Sequence, residues 1–237
     1  MTYIFPLASV LLGAFIGLVF QPKNKKNLKL LLAFSGAFLL SITVMHLLPE
    51  VYHTVLHDHH HDGANHNHAE GYRIGLFIMV GILFQIVLEF FSKGAEHGHV
   101  HTHEKMDALP WTLFISLCLH ALLEGMPVSH HHNLAIGIAI HHLPIAIILT
   151  TFFANAGLHK KWIVLFMTVF ALMTPIGTLV SEKLDFLTHY YTEISAIVIG
   201  ILFHISSTII FESSENHKFN VAKISAIVLG IFLGYLI

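Results

Sequence analysis

Residues 113–154 read LFISLCLHALLEGMPVSHHHNLAIGIAIHHLPIAIILTTFFA. Two apolar runs, each close to the roughly 20 residues needed to cross a bilayer, flank a short polar turn that holds His130, His131 and His132. Both runs are interrupted near the middle by ionisable side chains, His120 and Glu124 in the first, His141 and His142 in the second. The apolar character is continuous rather than alternating, which points to helices and not to barrel strands. A charged group at the bilayer centre costs roughly 2.5–3.5 kcal/mol on insertion scales, so such groups mark functional sites.

The rest of the chain extends this pattern. Its 237 residues are 55% hydrophobic and 11% charged, with a mean hydropathy of +0.72. Soluble domains are about a quarter charged, so the composition excludes disorder, nucleic-acid binding and an ordinary soluble enzyme. Apolar windows fall at 3–20, 28–49, 72–92, 110–128, 133–154, 162–181, 194–211 and 221–237. The expectation is one transmembrane domain over 1–237, an all-α bundle of eight spans. The first window lacks a basic leader and a small-residue cleavage site and is read as retained.

Orientation follows from the basic residues. With the N-terminus outside, the cytoplasmic side holds Lys23, Lys25, Lys26, Lys29, Lys93, Lys105, Lys160, Lys161, Lys218 and Lys223, leaving only Arg73 and Lys183 of the 12 outside. Both termini are therefore expected outside. No P-loop and no H-E-x-x-H occurs, so neither ATP hydrolysis nor intramembrane metalloproteolysis is expected, and the chain is not read as an enzyme. Cys118 is the single cysteine, so no disulfide forms within the chain and no thiolate cluster is available.

At about 1.5 Å per residue, His120 lies about 15 Å above the inner face, with Glu124 one turn further on the same helix side. His141 and His142 reach a similar depth from the outer face, and so does His204 in the seventh span. Polar groups at matched depth are not needed for apolar packing. Imidazole nitrogens and a carboxylate oxygen at about 2.0–2.2 Å are what a zinc-like ion takes. The alternative for each histidine is one interhelical hydrogen bond. His142 is turned about 100° from His141, so the two need not share a cavity. Pro144 removes an amide and disturbs the bond to the carbonyl of Ile140, which predicts a kink.

Further polar features lie toward the membrane boundaries. His46 and Glu50, in HLLPE, are spaced to share a helix face near the outer boundary and are candidates for an outer entrance. Gln85 and Glu89 form a similar pair nearer the inside. An outer loop at 57–71, HDHHHDGANHNHAEG, and a cytoplasmic loop at 93–109 are rich in histidine and fit the gathering of ions. Gly13, Gly17, Gly75 and Gly81 permit close helix contact.

Taken in order, these motifs resemble the ZIP (ZRT/IRT-like) family of divalent metal permeases. HLLPE at 46–50 is similar to that family's second-span motif, HALLEG at 120–125 to its fourth-span H-N-x-P-E-G, HHLPIA at 141–146 to its fifth-span H-[ND]-x-P-E-G, and ESSENH at 212–217 to its segment after span seven. The resemblance implies a transport site of His120, Glu124, His141 and His142; His204 stays a further candidate by its depth alone. The family's Asn, Glu and sixth-span acid are replaced by Ala121, Ile145 and Thr174, which predicts one transport site rather than two.

The expected function is passage of a divalent ion toward the cytoplasm, zinc first, with iron, manganese, cobalt or cadmium as other substrates. The partners expected are metal ions and lipid, with no nucleic acid; the resemblance suggests a homodimer, in a bacterial inner membrane. Two other readings stay open. One is a membrane haem electron carrier using the intramembrane histidines as axial ligands. The other is a metal sensor or buffer that does not transport, on a ZIP-like scaffold.

Overall fold

A computed structural model describes residues 3–21, 25–57, 65–92, 111–129, 132–212 and 220–237. The histidine-rich loop expected on the cytoplasmic side (93–109), residues 58–64 of the one expected outside, His130, His131 and most of ESSENH lie outside the described residues. The described residues form helices throughout: α1 Ile4–Phe20, α2 Lys25–Ile42, α3 Leu48–His57, α4 Asn65–Ser92, α5 Trp111–Gly125, α6 His132–Asn155, α7 Lys160–Lys183, α8 Asp185–His189, α9 Tyr191–Glu212 and α10 Val221–Leu236. A π-helical turn, Thr43–Leu47, joins α2 to α3, and a 3-10 turn, Met126–Ser129, follows α5. Among the described residues six helical stretches are long and apolar enough to cross a membrane; α1 and α10 are shorter apolar helices.

The elements outrun the expected windows by the most at two places. The second window continues through the π turn into α3 and reaches His57, and α4 begins at Asn65, inside the stretch expected as an outer loop. With 28 residues, α4 is about 42 Å long, more than a hydrocarbon core of about 30 Å requires. α6 remains helical through Pro144. The Ser9 hydroxyl of α1 donates to the carbonyl of Ala139, the residue before the carbonyl that Pro144 leaves without its amide.

In lipid no hydrophobic force pulls helices together, so small residues that let backbones touch decide which helices pair. Gly13 and Gly17 of α1 lie against Leu143–Thr150 of α6, and Gly230 and Gly234 of α10 against Phe34–Ser41 of α2. In both pairs the contacts advance in the same direction along both chains, so the helices are parallel. Gly81 of α4 meets Ile197 of α9 while Gly200 meets Ile78, and Gly125 of α5 meets Thr174 of α7 while Gly177 meets Leu122. A Cβ at any of these last four glycines would come within 2.0–2.1 Å of a carbonyl oxygen, so no larger residue fits. Gly75 differs from the expectation: nothing approaches it within 4 Å, and it lies on a helix in which only 28% of the span window is buried.

Through these pairings the starts of α2, α7 and α10 fall at one end of the bundle, with Lys26, Lys29, Lys160, Lys161 and Lys223. Lys223, nearly buried, donates from Nζ to the carbonyl of Ile210 at 2.6 Å. A cation there also offsets the negative end of α9. At the opposite end Arg73 of α4 pairs with Glu193 of α9 at 3.4 Å.

Candidate metal centre

Glu124 is fully buried, and its carboxylate is flanked by two imidazoles. His120 Nε2, one turn back on α5, is 3.2 Å from Oε1; His142 Nε2, from α6, is 3.1 Å from Oε2. The i, i+4 spacing on α5 produces the first contact. The second is a side-chain contact that brings the His142 ring of α6 to the carboxylate on α5. His141 lies against the same group, its ring centroid 6.5 Å from that of His120. One ligand atom each from His120, Glu124 and His141 lie within 4.8 Å of one another, all three buried. Donors around a tetrahedral ion held at about 2.1 Å stand about 3.4 Å apart, so modest rotamer changes would close the set.

Both neighbouring histidines therefore reach the cavity, although the helical spacing turns them apart. His120, His141 and His142 line it together with Leu117, Ile145, Phe170 and Ile205. Its volume is about 10 Å³, room for about one water-sized ligand. The ring of Phe170 from α7 stands 5.4 Å from His142 and closes that side. Ile145 occupies the wall where the resemblance has a carboxylate, and Thr174 and Ala121 are buried without charge.

The segment after Glu124 is held from α7 and α9. Thr178 donates from Oγ1 to the carbonyl of Gly125 at 2.7 Å, and Tyr191 donates to the carbonyl of Pro127 at 3.3 Å. Together with the glycine contact of α5 and α7, these bonds fix where α5 ends. Sequence reasoning passed over Thr178 and Tyr191; a hydroxyl one turn beyond Pro175 was the available signal.

The remaining expected residues are placed elsewhere. His204 is outside the cluster: its Nε2 is 2.6 Å from Oε2 of Glu89, joining α9 to α4. Glu89 thus has a histidine partner. His46 lies in the π-helical turn. Its Nε2 lies 3.1 Å from the carbonyl of Gly234 and donates to it near the end of α10. Asn133 caps the same end, donating to the carbonyl of Ile237 at 2.7 Å. Glu50 is exposed on α3.

Residues 1–110 match a family model described as ZIP zinc transporter. A zebrafish protein, zinc transporter ZIP1 of Danio rerio, is 24% identical over 196 residues, covering 65% of this chain and 64% of that protein. Zinc transporter SLC39A7 of Rattus norvegicus is 32% identical over 91 residues, covering 35% of this chain and 19% of the relative, and that of Mus musculus is 32% identical over 89 residues, covering 35% and 18%. The chain spans less than two thirds of the length of these curated relatives. The family match ends before α5, so the buried cluster lies outside it and rests on its own geometry. The apolar helices and the family match together describe a multi-pass membrane protein that is ZIP-like, matched to the ZIP zinc transporter family over residues 1–110.

Proposed function

We propose that this chain carries a divalent metal ion, zinc first, across the membrane toward the cytoplasm, and that the ion dwells on His120, Glu124 and His141 with His142 beside them. The observation that supports this is the convergence of three buried ligating side chains from α5 and α6 within 4.8 Å. Two imidazoles and one carboxylate leave a fourth position for water or an exchanging ligand, the pattern of an open zinc site. Conduction needs binding strong enough to replace hydration and weak enough to release. Neutral imidazoles with a single charge meet that need better than several carboxylates.

The proposal includes eight spans, with α1 and α10 crossing as the shorter two, both termini outside, the lysine-rich end facing the cytoplasm, and a homodimer. Glu50 is kept at the outer entrance, with the histidine-rich loops raising local ion concentration. His46 holds α10 there instead of ligating through Nε2. Because Ala121, Ile145 and Thr174 bring no charge, the cluster holds one ion. The haem reading is not favoured, since a cavity of about 10 Å³ gives no room for a porphyrin between the rings.

Radioactive zinc uptake into proteoliposomes tests the proposal. Saturable uptake by the wild type, lost in His120→Ala, is expected. Uptake at the wild-type rate in a His120→Ala, Glu124→Ala double variant would overturn the site. A wild type that binds zinc at the cluster without moving it would identify a sensor or buffer.

A further inference from the structure

Apart from the central cluster, a second histidine–carboxylate pair lies within the candidate spans. His204 and Glu89 meet across α9 and α4 at 2.6 Å. Their side chains retain 19% and 24% of their surface, against 4% or less for His120, His142 and Glu124. Gln85, one turn along α4 from Glu89, is fully buried.

Height places the pair between the cluster and the lysine-rich end. Glu89 is three residues from the end of α4 at Ser92 and His204 eight from the end of α9 at Glu212, about 4.5 Å and 12 Å along the helix axes. Glu124 is 13 residues from the start of α5 at that same end, about 20 Å. Ile205, adjacent to His204 in sequence, lines the central cavity. It packs with Ile145, another wall residue, and with Leu32 and Ile209 in one apolar cluster. A thin apolar layer therefore stands between the cluster and the pair, and such a layer blocks a hydrated ion until it opens.

We propose that Glu89 and His204 form a second divalent-cation station, on the release side of the central cluster. The inference rests on the ion passage proposed above and adds a step to it. A cation entering between Nε2 and the carboxylate displaces the proton held there. If the imidazole is neutral, its remaining proton moves to Nδ1; if it is charged, one proton leaves to water. With one charge, one imidazole and partial exposure, the station holds its ion less firmly than the sealed cluster. That order suits a path which must end in release.

Thiol protection tests the station. Cys118 is the only cysteine, so Cys118→Ala gives a cysteine-free chain, and His204→Cys then carries one thiol. In the full chain in proteoliposomes, N-ethylmaleimide should label that thiol, and zinc at ten times its dissociation constant should slow labelling about tenfold. Glu89→Gln should abolish the protection. Adding Glu124→Ala should abolish flux but leave protection by zinc supplied at the lysine-rich side. Retained flux in Glu124→Ala would sink the central site without touching the station. If zinc does not slow labelling, or if the thiol is never labelled because no water reaches it, the pair is only an interhelical hydrogen bond. Should His204→Cys not elute as a folded species, Glu89→Cys places the thiol on the other partner, with the same outcomes.

Discussion

Two helix crossings in this molecule use one device and arrive at different chemistry. Where α5 meets α7, Gly125 and Gly177 bring backbone against backbone; where α4 meets α9, Gly81 and Gly200 do the same. In both, a methyl group in place of the glycine hydrogen would stand 2.0–2.1 Å from a carbonyl oxygen. Beside the first crossing three imidazoles and one carboxylate are sealed from solvent. Beside the second, one imidazole and one carboxylate remain about a fifth exposed. Close approach is thus generic membrane packing. The sealed set exists because a third helix, α6, adds two histidines at the level of Glu124.

The comparison can be broken most severely at the carboxylates. Glu124→Ala removes the sole charge from the sealed cluster, and zinc affinity there should fall by more than the about 10–100-fold that losing even an outer partner of a ligand costs. Glu89→Gln should lower zinc flux by a smaller factor. Equal losses, measured by uptake at low zinc, would erase the distinction between the two sites.

Charge at the cavity wall sharpens it next. Ile145→Glu places a second carboxylate where the cavity has only an apolar wall, and zinc bound in the membrane-embedded region should rise from one ion per chain to two. Anomalous diffraction from zinc-soaked crystals counts the ions. A single peak in the variant, or a pair within about 5 Å in the wild type, would contradict the one-ion assignment; two double charges at about 4 Å repel by about 16 kcal/mol even at an effective dielectric of 20.

The glycines come third, because both crossings should respond alike. Gly177→Ala and Gly200→Ala each force a methyl group onto a carbonyl and should destabilise by about 1–3 kcal/mol, read as thermal unfolding in detergent by circular dichroism. Gly75→Ala, with open space around it, should instead stabilise by about 0.5–1 kcal/mol through helix propensity. Destabilisation at Gly75 would mean that another chain covers that face.

Proton competition has the mildest expected effect. Ligating imidazoles must be neutral, and their ordinary pKa is about 6.5, so zinc uptake should decline several-fold from pH 7.5 to 5.5. The fall reflects protons occupying the ligands, and raising zinc should partly reverse it. Uptake that climbs on acidification would count against imidazole ligation.

Much of this arrangement was legible before any coordinates. Continuous apolar runs gave the helices, and the matched depth of His120, Glu124 and His141 gave the cluster. The same reasoning placed His204 at that level, yet its ring turns to α4. His46 stands in a π-helical turn, and its ring reaches α10. Depth alone does not say which way a side chain faces, and one inserted residue per turn rotates everything beyond it.

Sequence by itself determined what is one-dimensional here: which segments are apolar, how long they are, and how far along each helix a polar group stands, since rise per residue is constant. Only the tertiary structure decided which groups meet. Glu124 faces His142 of α6, Glu89 faces His204, and the ring of His46 reaches the carbonyl of Gly234. The physical reason is that a helix's rotation about its axis is set by the neighbour its small residues admit. Here those neighbours are distant in sequence: α1 with α6, α2 with α10 and α4 with α9.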